Sequence, residues 1–298
     1  MFEPALAQQL TGGRLHLSHG PIDIVLKAWG APAARAAATA AARRRFGAML
    51  PELCDELIEL RRPISEQPVV RGPIACRMRE ACRPFRGIFL TPMAAVAGAV
   101  ADDLLDHMCR AAPLERAFVN NGGDIAIHLA AGQSMEIGVA GACSRGQAPR
   151  INGLIRLEAA TGVGGIATSG AGGRSFSLGI ADAVTVLAKD AAAADAAATL
   201  IANAVNVEAA TVVRRPASEL DPDSDLGDRL VTVAVGTLSA AEIALALAAG
   251  RARAEAFQRR GLIIDAALML AGETQTLAAP ACAALHPGEP QPPARRDQ

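Results

Sequence analysis

Three groups of residues in this chain have the types and spacing for chemistry on an oxygen-rich ligand. The first is Asn121-Gly122-Gly123-Asp124, set inside the apolar alternation that runs from Phe118 to His128. Glycine lacks a Cβ, so a pair of them lets a ligand or a second backbone come close, or supplies positive φ. A β-bulge beside a hairpin would use the same pair, and on this stretch alone the two readings stay level. If the segment is extended throughout, Asn120, Asp124 and His128 share one face while Val119, Ile125 and Ile127 turn to the core. The second group is the glycine-rich run from Gly162 to Ser175, which holds Thr168-Ser169-Gly170 and Arg174. Its amides, hydroxyls and single guanidinium suit an anion cradle, and a plain flexible loop is the alternative. The third is Asp195 with Thr199, one turn apart on an expected helix. A carboxylate beside a hydroxyl suits a hard cation such as Mg²⁺, which takes oxygen ligands and keeps waters or phosphates in its other positions, although that spacing alone is a weak signal.

The elements that must position these groups come from a chain of 298 residues, 51% hydrophobic and 20% charged, rich in alanine and poor in aromatics. That is enough for a well-buried core built of closely packed layers. Twenty-nine Lys and Arg against 30 Asp and Glu give a net charge of -1, so no general electrostatic drive toward nucleic acid or an anionic membrane exists. Met1 to Leu10 carries Glu3 and no basic, then apolar, leader pattern, and the expected compartment is the cytoplasm. The six cysteines, at 54, 76, 82, 109, 143 and 282, form no Cys-x-x-Cys and are expected reduced and mostly buried. The alanine run 94–101 is too short to span a membrane, and 191–205 carries Asp195 and Asn203.

Alternation over residues 14–29 predicts a hairpin in which His16 and His19 face solvent. Residues 34–60 read as helix broken near Pro51, with Arg43, Arg44 and Arg45 on a solvated face, and 73–90 as loop and short strand. Thr91-Pro92 opens a small, apolar helix expected to pack under a sheet. Asp102-Asp103-Leu104-Leu105-Asp106 superficially matches the magnesium motif of isoprenoid synthases. Those enzymes are all-helical, whereas half of this chain reads as strand, so the acids are expected on an exposed C-terminal turn. Residues 135–141, 151–158 and 161–168 have the pattern of an antiparallel sheet. A strand at 183–188, a helix at 191–205 capped by Asp190, an acidic loop at 216–228, a strand at 229–236, a helix at 239–257 and a strand at 261–270 follow. From Pro280 the composition suggests a disordered tail.

In this order, Asn121-Gly122-Gly123-Asp124-Ile125, Ala167-Thr168-Ser169-Gly170 and Ala194-Asp195-Ala196-Ala197-Ala198-Thr199 resemble the ApbE family, the FAD:protein FMN transferases. More closely, the chain is similar to the UPF0280 branch of that superfamily, whose phrases match Thr91 to Asp102 and Ser177 to Val184. The resemblance covers roughly residues 13–270. It implies an α+β fold of duplicated T-fold-like antiparallel sheets with packed helices, over residues 1–279 as one domain of two repeats, with 280–298 as the tail. It also implies a flavin site between the repeats and possible pairing of two chains into a homodimer.

By the same resemblance, Asn121, Gly122, Gly123 and Asp124 line the FAD, Thr168, Ser169 and Gly170 match the family's Thr-Ser-Gly, and Asp195 and Thr199 hold Mg²⁺; Arg174 of the glycine-rich run is counted with the ligand-binding residues as an anion partner. One departure stands out. The transferases carry His-x-x-Asp-Pro-x-x-Gly shortly after Thr-Ser-Gly, and the interval Arg174 to Ala183 has neither histidine nor proline. That leaves Asp182 and His128 as candidate bases. Three readings remain open: a protein that binds a flavin or related nucleotide with Mg²⁺ and hydrolyses its pyrophosphate, a carrier for a flavin or pterin-like ring without turnover, and a true transferase with a replacement base.

Overall fold

The computed structural model describes residues 4–140, 151–173, 175–277 and 285–287. A first edge strand, β1 (Leu6–Gln9), precedes the expected hairpin, β2 (Leu15–His19) and β3 (Ile22–Trp29). Its alternation turns Leu15, Leu17, Ile22, Ile24 and Leu26 to one buried side. Four helices follow: α1 (Pro32–Asp55), the single turn α2 (Leu57–Leu60), α3 (Pro73–Cys82) and α4 (Val96–Ala111). The chain then returns as β4 (Arg116–Asn121) and β5 (Asp124–Leu129). Beyond β6 (Ser134–Ala140) and β7 (Ile151–Glu158) the plan repeats. The second hairpin is β8 (Gly165–Ser169) and β9 (Ala183–Ala188), followed by α5 (Ala191–Ala204). A ribbon, β10 (Val212–Pro216) with β11 (Leu230–Val235), brackets the short α6 (Ala217–Leu220). The long α7 (Ala240–Arg259) then leads to the closing hairpin, β12 (Asp265–Leu270) and β13 (Glu273–Thr276).

Each half is therefore hairpin, helices, hairpin, and the two halves join edge to edge. The result is one antiparallel sheet of nine strands in the order β1-β2-β3-β4-β5-β8-β9-β12-β13, with the join between β5 and β8. The helices lie on one face over Ala117, Val119, Ala126, Ala167, Val184, Val186 and Leu268. The other face presents Phe118, Ile125, Ile127, Ile166 and Leu187 to a second apolar cluster that includes Met135, Ile155 and Leu157 of β6 and β7. A last strand, β14 (Leu285–Pro287), pairs with β7 within the stretch read as tail, and the remaining tail residues lie outside the described ones. Among the described residues no helix is long and apolar enough to cross a membrane.

Several expectations are corrected. Residues 73–82 form a helix because Gly72-Pro73 supplies an N-cap and a first helical residue rather than a loop, and Ile74, Ala75, Met78 and Cys82 give it a buried stripe. Helix α1 continues through Pro51 to Asp55. Proline removes one backbone hydrogen bond there, and burial of Phe46, Met49, Leu50 and Leu53 outweighs it. His19 is buried, with its ring 6.2 Å from that of Phe46, while His16 pairs with Asp23 at 3.1 Å. Of the arginine trio only Arg43 and Arg44 are exposed, because Arg45 folds inward onto Asp103 at 2.7 Å and Glu52 at 2.7 Å. The acids at 102 and 103 are not an exposed turn: both are 5% exposed and sit in the interior of α4. The described cysteines 54, 76, 82 and 109 are free thiols, with Cys82 buried.

Alanine and glycine let the two halves close. A Cβ on Gly98 of α4 would lie 2.3 Å from the carbonyl oxygen of Ala191, and one on Gly165 of β8 would lie 2.1 Å from the amide nitrogen of Ala191. The first turn of α5 is thus wedged against α4 and β8 with no room for a methyl group. Gly98→Ala is expected to lower stability by about 1–3 kcal/mol or more, since backbone on both sides must move. Chemical denaturation of the variant checks this, and wild-type stability would contradict so close a contact.

Candidate functional site

The turn between β4 and β5 explains the glycine pair. Asn121 is directly opposite Asp124, so Gly122 and Gly123 are the two residues of a tight hairpin loop, with φ of 66° and 118°. Such a loop needs positive φ at both positions, which glycine adopts without strain. The strand is not continuous, and the expected shared face is revised. Asp124 and His128 point to the helices together with Asn121, and Asn120 points to the other side, where its Oδ1 accepts from the amide of Gly123 at 2.9 Å. A Cβ on Gly123 would meet no atom of the chain within 4 Å.

Around the first turn of α4 the three motifs converge. From β4, buried Asn121 donates its Nδ2 to the carbonyl of Ala97 at 3.1 Å. From α5, Asp195 accepts the amide of Gly98 on its Oδ2 at 3.0 Å. Beside Asn121 on the sheet, Asp124 accepts the amide of Thr168 on its Oδ1 at 3.2 Å. Helix α4 has no capping side chain of its own, so Asp195 supplies the acceptor that its first amides need. The arrangement is reciprocal. Asp102 of α4 accepts the amides of Ala191 and Ala192 at 3.0 and 2.9 Å, and so caps α5 together with its own N-cap Asp190, which takes Ala193 at 2.8 Å.

The electrostatics follow from this crowding. Asp195 is pushed well above the usual carboxylate range, first by burial and then by the charge of Asp124, while the amides of Gly98 and Ala97 pull the other way. Asp102 is raised to about 7, again by burial foremost, against the lowering effect of its two amides and of Arg77 at 3.7 Å. Arg77 also donates to Asp106. In front of α4, the hydroxyl of Thr91 donates to Asp225, which ties the acidic loop of the second half to the turn at Pro92–Ala95.

Other expected site residues lie elsewhere or have other duties. Thr168 turns its hydroxyl to the far face, where it shares a hydrogen bond of 2.9 Å with Thr185. Ser169 ends β8 opposite Val184, and Gly170 is packed so closely that a Cβ would sit 2.4 Å from the carbonyl oxygen of Asp182. Gly164, Gly165 and Gly170 all pack against backbone, so the glycine run is no continuous exposed cradle, and Arg174 lies outside the described residues. Asp182 takes the amide of Ala271 on its Oδ2 at 2.6 Å, closing the turn between β12 and β13, and burial raises its carboxyl. His128 donates Nε2 to the carbonyl of Leu114 at 3.1 Å, four residues along β5 from Asp124 and so about 13 Å away at ~3.3 Å per residue. Thr199 is half-buried one turn beyond Asp195. Among the described residues no three His, Cys, Asp or Glu side chains gather at metal-binding distance. Sequence reasoning missed Asp102 as a cap. Its signal was an acid within an otherwise small and apolar helix.

A profile of the family described as AbpE bacteria matches residues 6–276. A UPF0280 protein of Methanothrix thermoacetophila is 35% identical over 170 residues, 57% of this chain and 65% of that relative. A second, from Methanothermobacter thermautotrophicus, is 36% identical over 152 residues, 48% of this chain and 53% of the relative. The matches thus span about half to two thirds of these relatives. The crystal structure of the ApbE protein of Thermotoga maritima aligns over 92% of this chain and 96% of its own, at 14% identity and a TM-score of 0.47, a likeness too distant to bear on the site.

A pH dependence follows from Asp102. Its carboxyl holds a proton more tightly folded, at about 7, than unfolded, near 3.8. Between those values the native state binds more protons, so stability falls as pH rises from about 4 to 7, by up to about 1.4 kcal/mol per pH unit. Asp102→Asn should flatten that slope while losing about 1 kcal/mol, since an amide nitrogen cannot accept a backbone amide hydrogen and either carboxyl oxygen can. Urea unfolding across this pH range checks both, and an unchanged slope in the variant would count against the assignment.

Proposed function

The chain belongs to the family described as AbpE bacteria, and on that footing we propose that it binds a flavin or related nucleotide with Mg²⁺ at the first turn of α4. The observation that carries this reading is that Asn121 and Asp195, from separate motifs, bond to Ala97 and Gly98, while Asp124, opposite Asn121 and within electrostatic range of Asp195, takes the amide of Thr168 from a third. Two carboxylates on different elements raise each other's cost of ionisation there, as the effect of Asp124 on Asp195 records. A divalent cation would offset that repulsion.

The donor set fits such an ion. It is all oxygen, and a carboxylate oxygen can accept an amide hydrogen and still ligate a cation through a second lone pair. With no third carboxylate or imidazole gathered among the described residues, the remaining positions would fall to the Thr199 hydroxyl, water and ligand phosphate, which is how Mg²⁺ is usually held. When bound, the ion would neutralise phosphate charge. The protein's own part is to fix the two carboxylates: Asp195 through the amide of Gly98, Asp124 through that of Thr168. The open space over Gly123 leaves room for a planar ring to approach the hairpin loop.

Binding is favoured over efficient transfer. Attack on a pyrophosphate needs a positioned base, a contribution of roughly 10²- to 10⁴-fold. Of the two candidates, His128 is bonded to a backbone carbonyl down the strand and Asp182 to a backbone amide in a turn.

Titration calorimetry with FAD in the presence and absence of Mg²⁺ tests the reading. Wild type should bind FAD in a Mg²⁺-dependent way, and Asp195→Asn, which keeps an acceptor for Gly98, should lose that dependence with its fold intact. Asp124→Asn should weaken it about tenfold or more. Asp195→Ala should in addition lose about 1–2 kcal/mol of stability, because it strips α4 of its cap. FAD binding that ignores Mg²⁺ would overturn the cation site. Efficient covalent transfer of FMN to a Ser or Thr peptide, lost in Asp182→Ala or His128→Ala, would overturn the preference for binding.

A further inference from the structure

Helix α7 is apolar on both sides. Its inner face buries Ala246, Leu247, Gly250, Ala254 and Phe257 against α5, β12 and β13. Its outer face consists of Ala241, Ala244, Leu245, Ala248, Ala249 and Ala252, all exposed, with Leu245 at 62%. A helix that is apolar all round is ordinarily buried, because an exposed helix carries charge along its outer stripe. The repeat sharpens the contrast. In the first half the helix that precedes the closing hairpin is α4, and α3 packs over it. In the second half the ribbon β10–β11 stands in the chain where a further helix would come, and among the described residues α7 keeps its outer face open.

We propose that this face of α7 docks on the same face of a second copy of the chain, the two helices antiparallel about a two-fold axis. Charge placement selects that occupant. Glu242, whose Oε2 also accepts from Ser239 in the capping box, and Arg253, whose guanidinium lies 5.9 Å from the ring of Phe257, are three turns apart and therefore lie on one flank of the stripe. A two-fold axis across the helices turns each flank onto itself with its direction reversed. Centred between Leu247 and Ala248, it sets Glu242 of each chain beside Arg253 of the other, twice. The opposite flank is neutralised within the chain, where Arg251 pairs with Glu255 at 2.8 Å. The outer alanines let the helix axes approach closely, and Leu245 of each chain packs beside the axis.

Sedimentation equilibrium over a concentration series up to about 100 µM tests the surface, since dimer population depends on concentration. Wild type should approach twice the chain mass of 30.5 kDa. Leu245→Arg should weaken association at least 100-fold, and Arg253→Glu several-fold, with added salt then strengthening rather than weakening the association that remains. Leu245 is exposed, so circular dichroism and melting temperature of monomeric Leu245→Arg should match the wild-type chain diluted to monomer. A monomeric wild type at the highest concentration would overturn the proposal, as would an assembly that Leu245→Arg leaves unchanged.

Discussion

Two carboxylates exchanged between two helices hold this structure at its join. Asp102 of α4 receives the first amides of α5, and Asp195 of α5 receives the first amides of α4. Every α-helix begins with amides that have no partner inside it. Here each helix satisfies those of the other, so neither first turn is complete until the two halves of the chain meet. The closeness that this requires is met by Gly98 and Gly165, which leave no atom where Ala191 must pass. The nine-stranded sheet joins the same halves through a register of two residue pairs between β5 and β8, extended by the amide of Ile127 on the carbonyl of Gly164. The helix pair packs above this join.

The same constraint places the candidate site. Because Asp195 has to reach the amide of Gly98, it comes within electrostatic range of Asp124, which the hairpin turn holds opposite Asn121. A cap is usually a small, exposed hydroxyl or carboxylate. This one is drawn into the junction beside a second acid, and burial sets the protonation of both Asp195 and Asp102 more than any single neighbour does. The join and the site are one piece of chemistry, and substitutions at Asp195 have to be judged on stability and on binding together.

Much of the fold was legible because period and punctuation agreed. The strand at 183–188, a short apolar run buried throughout, the helix capped by Asp190 and the helix from about 239 stand where they were expected. What failed did so for identifiable reasons. Gly72-Pro73 has the same letters as a turn, and only the buried stripe behind it distinguishes a helix start. Pro51 reads as a break, and packing around Phe46 and Leu53 carries α1 past it. The pair Gly122-Gly123 left ligand approach and a bulge beside a hairpin level, because both want glycine, and the cross-strand register shows a two-residue hairpin loop. Of the residues in the three motifs, Asn121 and Asp195 bond to the first turn of α4 and Asp124 lies within electrostatic range of Asp195. The order of the motifs could not show that Asp102 belongs with them, since its partners are backbone amides 89 and 90 residues away.

The most direct measurement of the central claim is anomalous diffraction from crystals grown with FAD and Mn²⁺ in place of Mg²⁺. An anomalous peak about 2.1–2.3 Å from oxygens of both Asp124 and Asp195, and adjoining the ligand phosphates, is the predicted result. FAD bound with no peak between those carboxylates, or with the metal held elsewhere, would contradict it.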